Sequence, residues 1–115
     1  MNSGSKSPTV SEQVYALVHK IPRGKVTSYG RIAREIEDCT ARMVGYALAA
    51  LPWESNVPWQ RVINHQGKVS PRNSGHGSWA QRELLDEEGV AFDAHGRADF
   101  QKYGWWKLHR LKDFG

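Results

Sequence analysis

A single cysteine, Cys39, occurs in the 115 residues, which excludes a disulfide within the chain and a structural zinc site built on cysteines. Long apolar runs are also missing, since none approaches the ~18 residues that a membrane-crossing helix needs. The opening MNSGSKSP is polar and lacks the apolar segment of a secretory signal, so residues 1–8 are expected to form a short disordered tail. The length leaves little room for two cores, and one domain over residues 9–115 is expected. The five histidines, His19, His65, His76, His95 and His109, are too scattered along the chain for a metal centre. No cofactor is implied.

What the chain does have is aromatic side chains and positive charge. Five Trp, four Tyr and three Phe suit a folded domain rather than a disordered one. The net charge is +4, and residues 19–72 concentrate it, with nine Lys/Arg against four acidic residues. That distribution suggests a surface facing a polyanion. Nucleic acid is favoured over a membrane because no basic amphipathic helix accompanies the charge. A merely solubilising surface explains the charge equally well.

Hydrophobic spacing predicts mainly α structure with a few short strands. Thr9 and Glu12 have capping-box spacing ahead of a helix from about Val10 to His19, stopped by Pro22 and Gly24. Ser28 is placed to cap a helix over Tyr29–Ile36. A third helix, Ala41–Leu51, turns Val44, Leu48 and Leu51 to the core and leaves Arg42, Gly45, Tyr46 and Ala49 outward. Small residues on that outer face allow something rigid to approach. Two short helices joined by a turn read as a helix-turn-helix. Val62 and Ile63 form a short buried strand, Ser70–Gly77 a loop, and Ser78 with Gln81 opens a last helix closed by Gly89. Val90–Phe92 and Ala98–Trp106 are expected to pair as a wing-like hairpin around His95 and Gly96.

Four motifs then appear in order: Ile21-Pro22-x-Gly24-x-Val26-x-Ser28-Tyr29-Gly30-x-Ile32-Ala33, Ala41-Arg42-x-Val44-Gly45, Val57-Pro58-Trp59-x-Arg61-Val62-Ile63-Asn64 and Leu84-Leu85-x-x-Glu88-Gly89-Val90. In sequence and spacing they resemble the DNA-binding domain of the O6-alkylguanine-DNA alkyltransferases, and more closely the alkyltransferase-like proteins. The resemblance covers roughly Val14 to Phe92. The ending with Asp99, Tyr103 and Trp105 also looks like that subfamily. It implies a winged helix-turn-helix DNA-binding domain.

The departure from the enzymes lies at Trp59. Their motif reads Pro-Cys-His-Arg, with a thiolate that attacks the alkyl carbon and is activated through the histidine and a glutamate. Displacement needs an available lone pair, and the indole nitrogen's is part of its aromatic system. Gln60 stands at the histidine position, and an amide is no base near neutral pH. Only Glu88 of the relay remains, with a structural or hydrogen-bonding role. The resemblance therefore implies a protein that holds a lesion without reacting with it.

Residue by residue, the resemblance makes Arg42 a finger entering the base stack and Tyr29 the group that presses on the phosphate 3′ to the target. Unstacking costs a few kcal/mol, so both a push and a plug are needed. Trp59 would line the lesion pocket, and Arg72 would cover the flipped base by a cation–π contact. Asn73 and Ser74 would add hydrogen bonds to the base edge. Gly45 and Tyr46 belong to the helix face toward the minor groove. Arg61 and Asn64 are expected to hold the loop and strand, and Cys39 to be a bystander.

The expectation is a monomeric, non-enzymatic protein that binds double-stranded DNA containing O6-alkylguanine, flips the base and flags it for nucleotide excision repair proteins. Its expected compartment is the nucleus if eukaryotic and otherwise the cytoplasm, at the nucleoid. The competing readings are a winged-helix regulator of undamaged sequence and a residual transferase acting through Cys39.

Overall fold

The structure, a computed structural model, describes residues 8–52, 54–69 and 78–106. Helix α1, Val10–Val18, starts at a reciprocal capping box: the Thr9 hydroxyl accepts the Glu12 amide at 3.1 Å and the Glu12 carboxylate accepts the Thr9 amide at 2.8 Å. Val14, Leu17 and Val18 form its buried side. Strand β1, Thr27–Ser28, runs directly into α2, Tyr29–Arg34, whose first turn is closed by the Ser28 hydroxyl accepting from the Arg31 amide. The helix ends two residues before the predicted Ile36, yet Ile36 is still buried. In the turn that follows, Asp38 adopts a φ of 59°, a left-handed conformation that aspartate tolerates better than most residues. Thr40 then caps α3, Ala41–Ala49, by accepting the Met43 amide.

Helices α1, α2 and α3 pack around one apolar cluster that includes Leu17, Ile32, Val44 and Leu48. The Tyr15 hydroxyl donates to the Ala47 carbonyl at 2.7 Å and fixes α3 against α1. The Ala41–Leu51 helix is therefore shorter than predicted, but its core stripe is as expected, since Val44, Leu48 and Leu51 are all buried. Burying each such side chain stabilises the fold by about 1.5–3 kcal/mol.

Strand β2, Val62–Ile63, pairs in parallel with β1, Thr27 opposite Val62 and Ser28 opposite Ile63. Successive strand side chains point to opposite faces, so this small sheet separates two cores. Val62 joins the helical cluster, whereas Ile63 joins Val26, Leu85, Val90 and Ala98. Helix α4, Ser78–Glu87, covers the second cluster through Leu85.

The expected hairpin is only partly formed. Its turn is present: the Asp93 carboxylate accepts the amides of His95 and Arg97 at 2.8 and 3.0 Å, and Phe92 bridges Ala98 antiparallel. Beyond Ala98 the second arm is not a strand. Asp99 accepts the Gln101 amide and caps a one-turn helix, α5, Phe100–Tyr103. A side-chain acceptor that satisfies its own backbone in this way competes with a strand ladder. The chain then lies beside Val26, which donates to the Tyr103 carbonyl and accepts from the Trp105 amide, both at 2.8 Å. The wing is thus reduced to one bridge, and the C-terminal segment supports the strand leading into β1.

Candidate functional site

The stretch NVPWQ folds into a tight corner. Pro58 has φ −78° and ψ 64°, and the Trp59 amide donates to the Val57 carbonyl at 2.7 Å, which is an inverse γ-turn. The pyrrolidine ring already holds φ near this value, so the corner carries little entropic cost. Trp59–Arg61 continue as one 3-10 turn into β2. The corner places the half-buried indole of Trp59 against the helical core on one side and against an open cleft of about 540 Å³ on the other. His19, Asn56, Pro58, Gln60 and Leu84 share the walls of that cleft.

Glu88, with a side chain only 3% exposed, is the anchor behind this wall. Its carboxylate accepts the Gln60 side-chain amide at 2.7 Å, the Arg61 guanidinium at 3.0 Å and the Gly24 amide at 2.9 Å. Burial by itself raises the acid's pKa, but the bonds from Arg61, Gly24 and Gln60, with the charge of Arg61, outweigh it and hold the group below the ordinary glutamate range. Arg61 also donates to the Ile21 carbonyl at 2.8 Å. One carboxylate therefore joins the end of α4, the turn after α1 and the corner bearing Trp59. Gly24 can present its amide there because it adopts φ 85°, a conformation open to glycine.

Arg61 thus holds the corner, as the sequence suggests. Asn64 likewise accepts the Gln66 and Lys68 amides and shapes the turn after β2. Gln81 does more than open a helix. It is 2% exposed and donates to the carbonyls of Gln60 and Val62 at 3.1 and 2.8 Å, fastening α4 to the corner. Sequence reading misses this role because a glutamine in a first helical turn looks like a solvent-facing residue.

The remaining candidates divide into two places. Arg42, Gly45 and Tyr46 lie on the outward side of α3, where Tyr46 is 61% exposed. The Arg42 Nε donates to the Tyr46 hydroxyl at 2.8 Å, with its guanidinium carbon 5.6 Å from the ring centre, so the arginine is held along the helix. An added Cβ at Gly45 would meet nothing within 4 Å. Tyr29 opens α2 and packs half-buried on the helical cluster that also receives Trp59. Neither Tyr29 nor Arg42 lines the Trp59 cleft. Arg72, Asn73 and Ser74 lie outside the described residues. Cys39 sits before α3, away from the cleft lining, and burial raises its thiol pKa.

A helix pair that turns Arg42 and Gly45 outward, packed on the core that also receives the anchored Trp59 corner, defines a helix-turn-helix domain of the winged DNA-binding class. The family described as 6-O-methylguanine DNA methyltransferase, DNA binding domain, matches residues 9–90, and the chain belongs to that family. It is 43% identical over 94 residues to a DNA base-flipping protein of Vibrio parahaemolyticus, covering 81% of this chain and 92% of the other. It is 47% identical over 79 residues to alkyltransferase-like protein 1 of Schizosaccharomyces pombe, covering 68% and 73%. The crystal structure of S. pombe Atl1 with damaged DNA containing O6-carboxymethylguanine superposes with a TM-score of 0.72 at 40% identity, covering 83% and 93%.

Proposed function

We propose that this protein recognises O6-alkylguanine in duplex DNA without repairing it. On this reading α3 enters the minor groove, Arg42 takes the place of the extruded nucleotide, Tyr29 presses on the neighbouring phosphate, and the base rests in the cleft beside Trp59. Arg72 would cover it, with Asn73 and Ser74 at its edge. The bound complex, with its bent DNA, then presents the lesion to nucleotide excision repair proteins.

The observation that carries the proposal is the Trp59–Gln60–Glu88 arrangement. The cleft is built and held, yet the side chain on its wall has no nucleophilic lone pair. The amide next to it donates to Glu88 and has no basic nitrogen to activate water or a thiol. Cys39 is a poor substitute, because a raised pKa leaves less thiolate.

The test is a titration of two duplexes that differ only by O6-methylation of one guanine, followed by tryptophan fluorescence, with the protein mass measured afterwards. The expected result is at least roughly tenfold tighter binding of the methylated duplex, with quenching and no added methyl group; a pocket that reads a single polar atom yields discrimination of this order or more. Equal affinities would favour a regulator of undamaged sequence. A methylated protein would favour a residual transferase.

A further inference from the structure

We propose that Gln60 selects among O6 substituents: its side-chain oxygen, turned to the cleft by the Glu88 clamp, favours substituents that carry a hydrogen-bond donor and disfavours anionic ones. This rests on the reading that the Trp59 cleft receives the flipped base.

An amide has one donor end and one acceptor end, and an ionised carboxylate can only accept. The atom of Gln60 that sits 2.7 Å from Glu88 is therefore the nitrogen, by chemistry rather than by choice of orientation. Glu88 cannot swing away, since Arg61 and Gly24 donate to its other oxygen at 3.0 and 2.9 Å. The backbone of Gln60 is fixed too, because its carbonyl accepts from buried Gln81. Both ends of the residue are thus held while it forms part of the cleft wall. The side-chain oxygen receives no hydrogen bond among the described residues, and it is not one of the enclosed atoms without a partner. It is an accessible, unpaired acceptor on a residue that lines the same cleft as Trp59.

Such an acceptor distinguishes substituents by chemistry. A 2-hydroxyethyl group can donate its hydroxyl proton to it. A methyl group neither donates nor repels. A carboxymethyl group brings a second acceptor with no proton between them, and the negative charge of Glu88 lies just behind the amide. The order of affinity is therefore hydroxyethyl, methyl, carboxymethyl.

The experiment uses the full chain and four duplexes identical except at one guanine, which is plain or bears O6-methyl, O6-(2-hydroxyethyl) or O6-carboxymethyl. Dissociation constants are measured at pH 8. The wild type should bind hydroxyethyl over carboxymethyl by roughly tenfold or more, the scale of one satisfied against one opposed hydrogen bond. Gln60→Leu and Gln60→Met should reduce that ratio to about twofold. Gln60→His should preserve it, since a neutral imidazole can donate one nitrogen to Glu88 and offer the other as an acceptor. A wild-type ratio near one, or a ratio unchanged in both apolar variants, overturns the proposal while leaving lesion recognition standing. If no alkylated duplex outbinds plain guanine, lesion recognition falls and this proposal with it.

Discussion

Replacing Glu88 by glutamine is the perturbation with the most defined consequence. The substitution keeps the shape but removes the negative charge that satisfies Arg61, Gln60 and Gly24. Removing one partner of a buried ion pair costs roughly 3–5 kcal/mol, because the other charge is left in a poorly solvated place. Arg61 keeps 16% exposure and its bond to the Ile21 carbonyl, which puts the loss at the lower end, about 3 kcal/mol. For a domain of this size that corresponds to a drop in Tm of roughly 15 °C. The pH dependence has a definite sign. The folded pKa of Glu88 is lowered, so its contribution is complete above the ordinary glutamate range and is lost as pH falls through that range toward the folded value. Thermal melts of wild type and Glu88→Gln should differ most at pH 7, and the gap should narrow toward pH 3. Asp93, also held low by the amides of Arg97 and His95, titrates in both proteins and cancels in the comparison. A loss under about 1 kcal/mol at pH 7, the value of one ordinary hydrogen bond, would refute the clamp, as would a gap that does not change with pH.

Arg42→Ala removes an exposed side chain and should change stability by no more than about 0.5 kcal/mol. It should nevertheless weaken binding to alkylated duplex roughly 30-fold, the equivalent of about 2 kcal/mol of lost support for the unstacked step. Arg23→Ala, which removes a bond to the Glu87 carbonyl, is the comparison; equal losses in a gel-shift titration would count against the finger. Gly45→Leu has open space around its Cβ and improves helix propensity, so Tm should hold or rise while duplex affinity falls roughly tenfold. Unimpaired binding would mean that the α3 face does not meet DNA. Trp59→Cys alone should transfer no methyl group, because Gln60 leaves the new thiol without a base, and rapid transfer detected by protein mass would contradict the account of the relay.

Helices α1 to α4 were legible because their signals are local. Thr9 with Glu12, and Ser28, each cap the helix that follows, and the Val44 and Leu48 stripe is buried. Strand β2 was readable as an apolar pair, but its parallel pairing with β1 was not, since pairing between residues 27–28 and 62–63 leaves no periodic trace in two residues. The second hairpin arm was misread because Ala98–Trp106 is rich in aromatic residues that favour strands, while the Asp99 cap decided for a helical turn. Arg61 and Asn64 were placed correctly as structural residues. The role of Gln81 depends on where α4 docks, and the orientation of Gln60 depends on Glu88, 28 residues further on. Such contacts across the fold have no signature along the chain.

On the proposed reading, a Glu88 clamp kept without a nucleophile changes how discrimination must arise. A transferase makes its choice permanent by forming a bond, so even a modest preference accumulates in product. A protein that only binds must distinguish lesion from guanine at equilibrium, and an apolar contact with one extra methyl group provides only about 1–3 kcal/mol. Larger factors come from polar groups fixed in position, where a wrong partner leaves a donor or acceptor unmatched. The corner around Trp59 has that character. Pro58 fixes its backbone, Gln81 holds its carbonyl, and Glu88 holds both the Gln60 amide and Arg61. On the proposed reading, the framework that serves to activate a thiolate in the enzymes serves here to keep a recognition wall rigid. The same rigidity explains why loss of Glu88 should loosen substituent discrimination as well as lower stability.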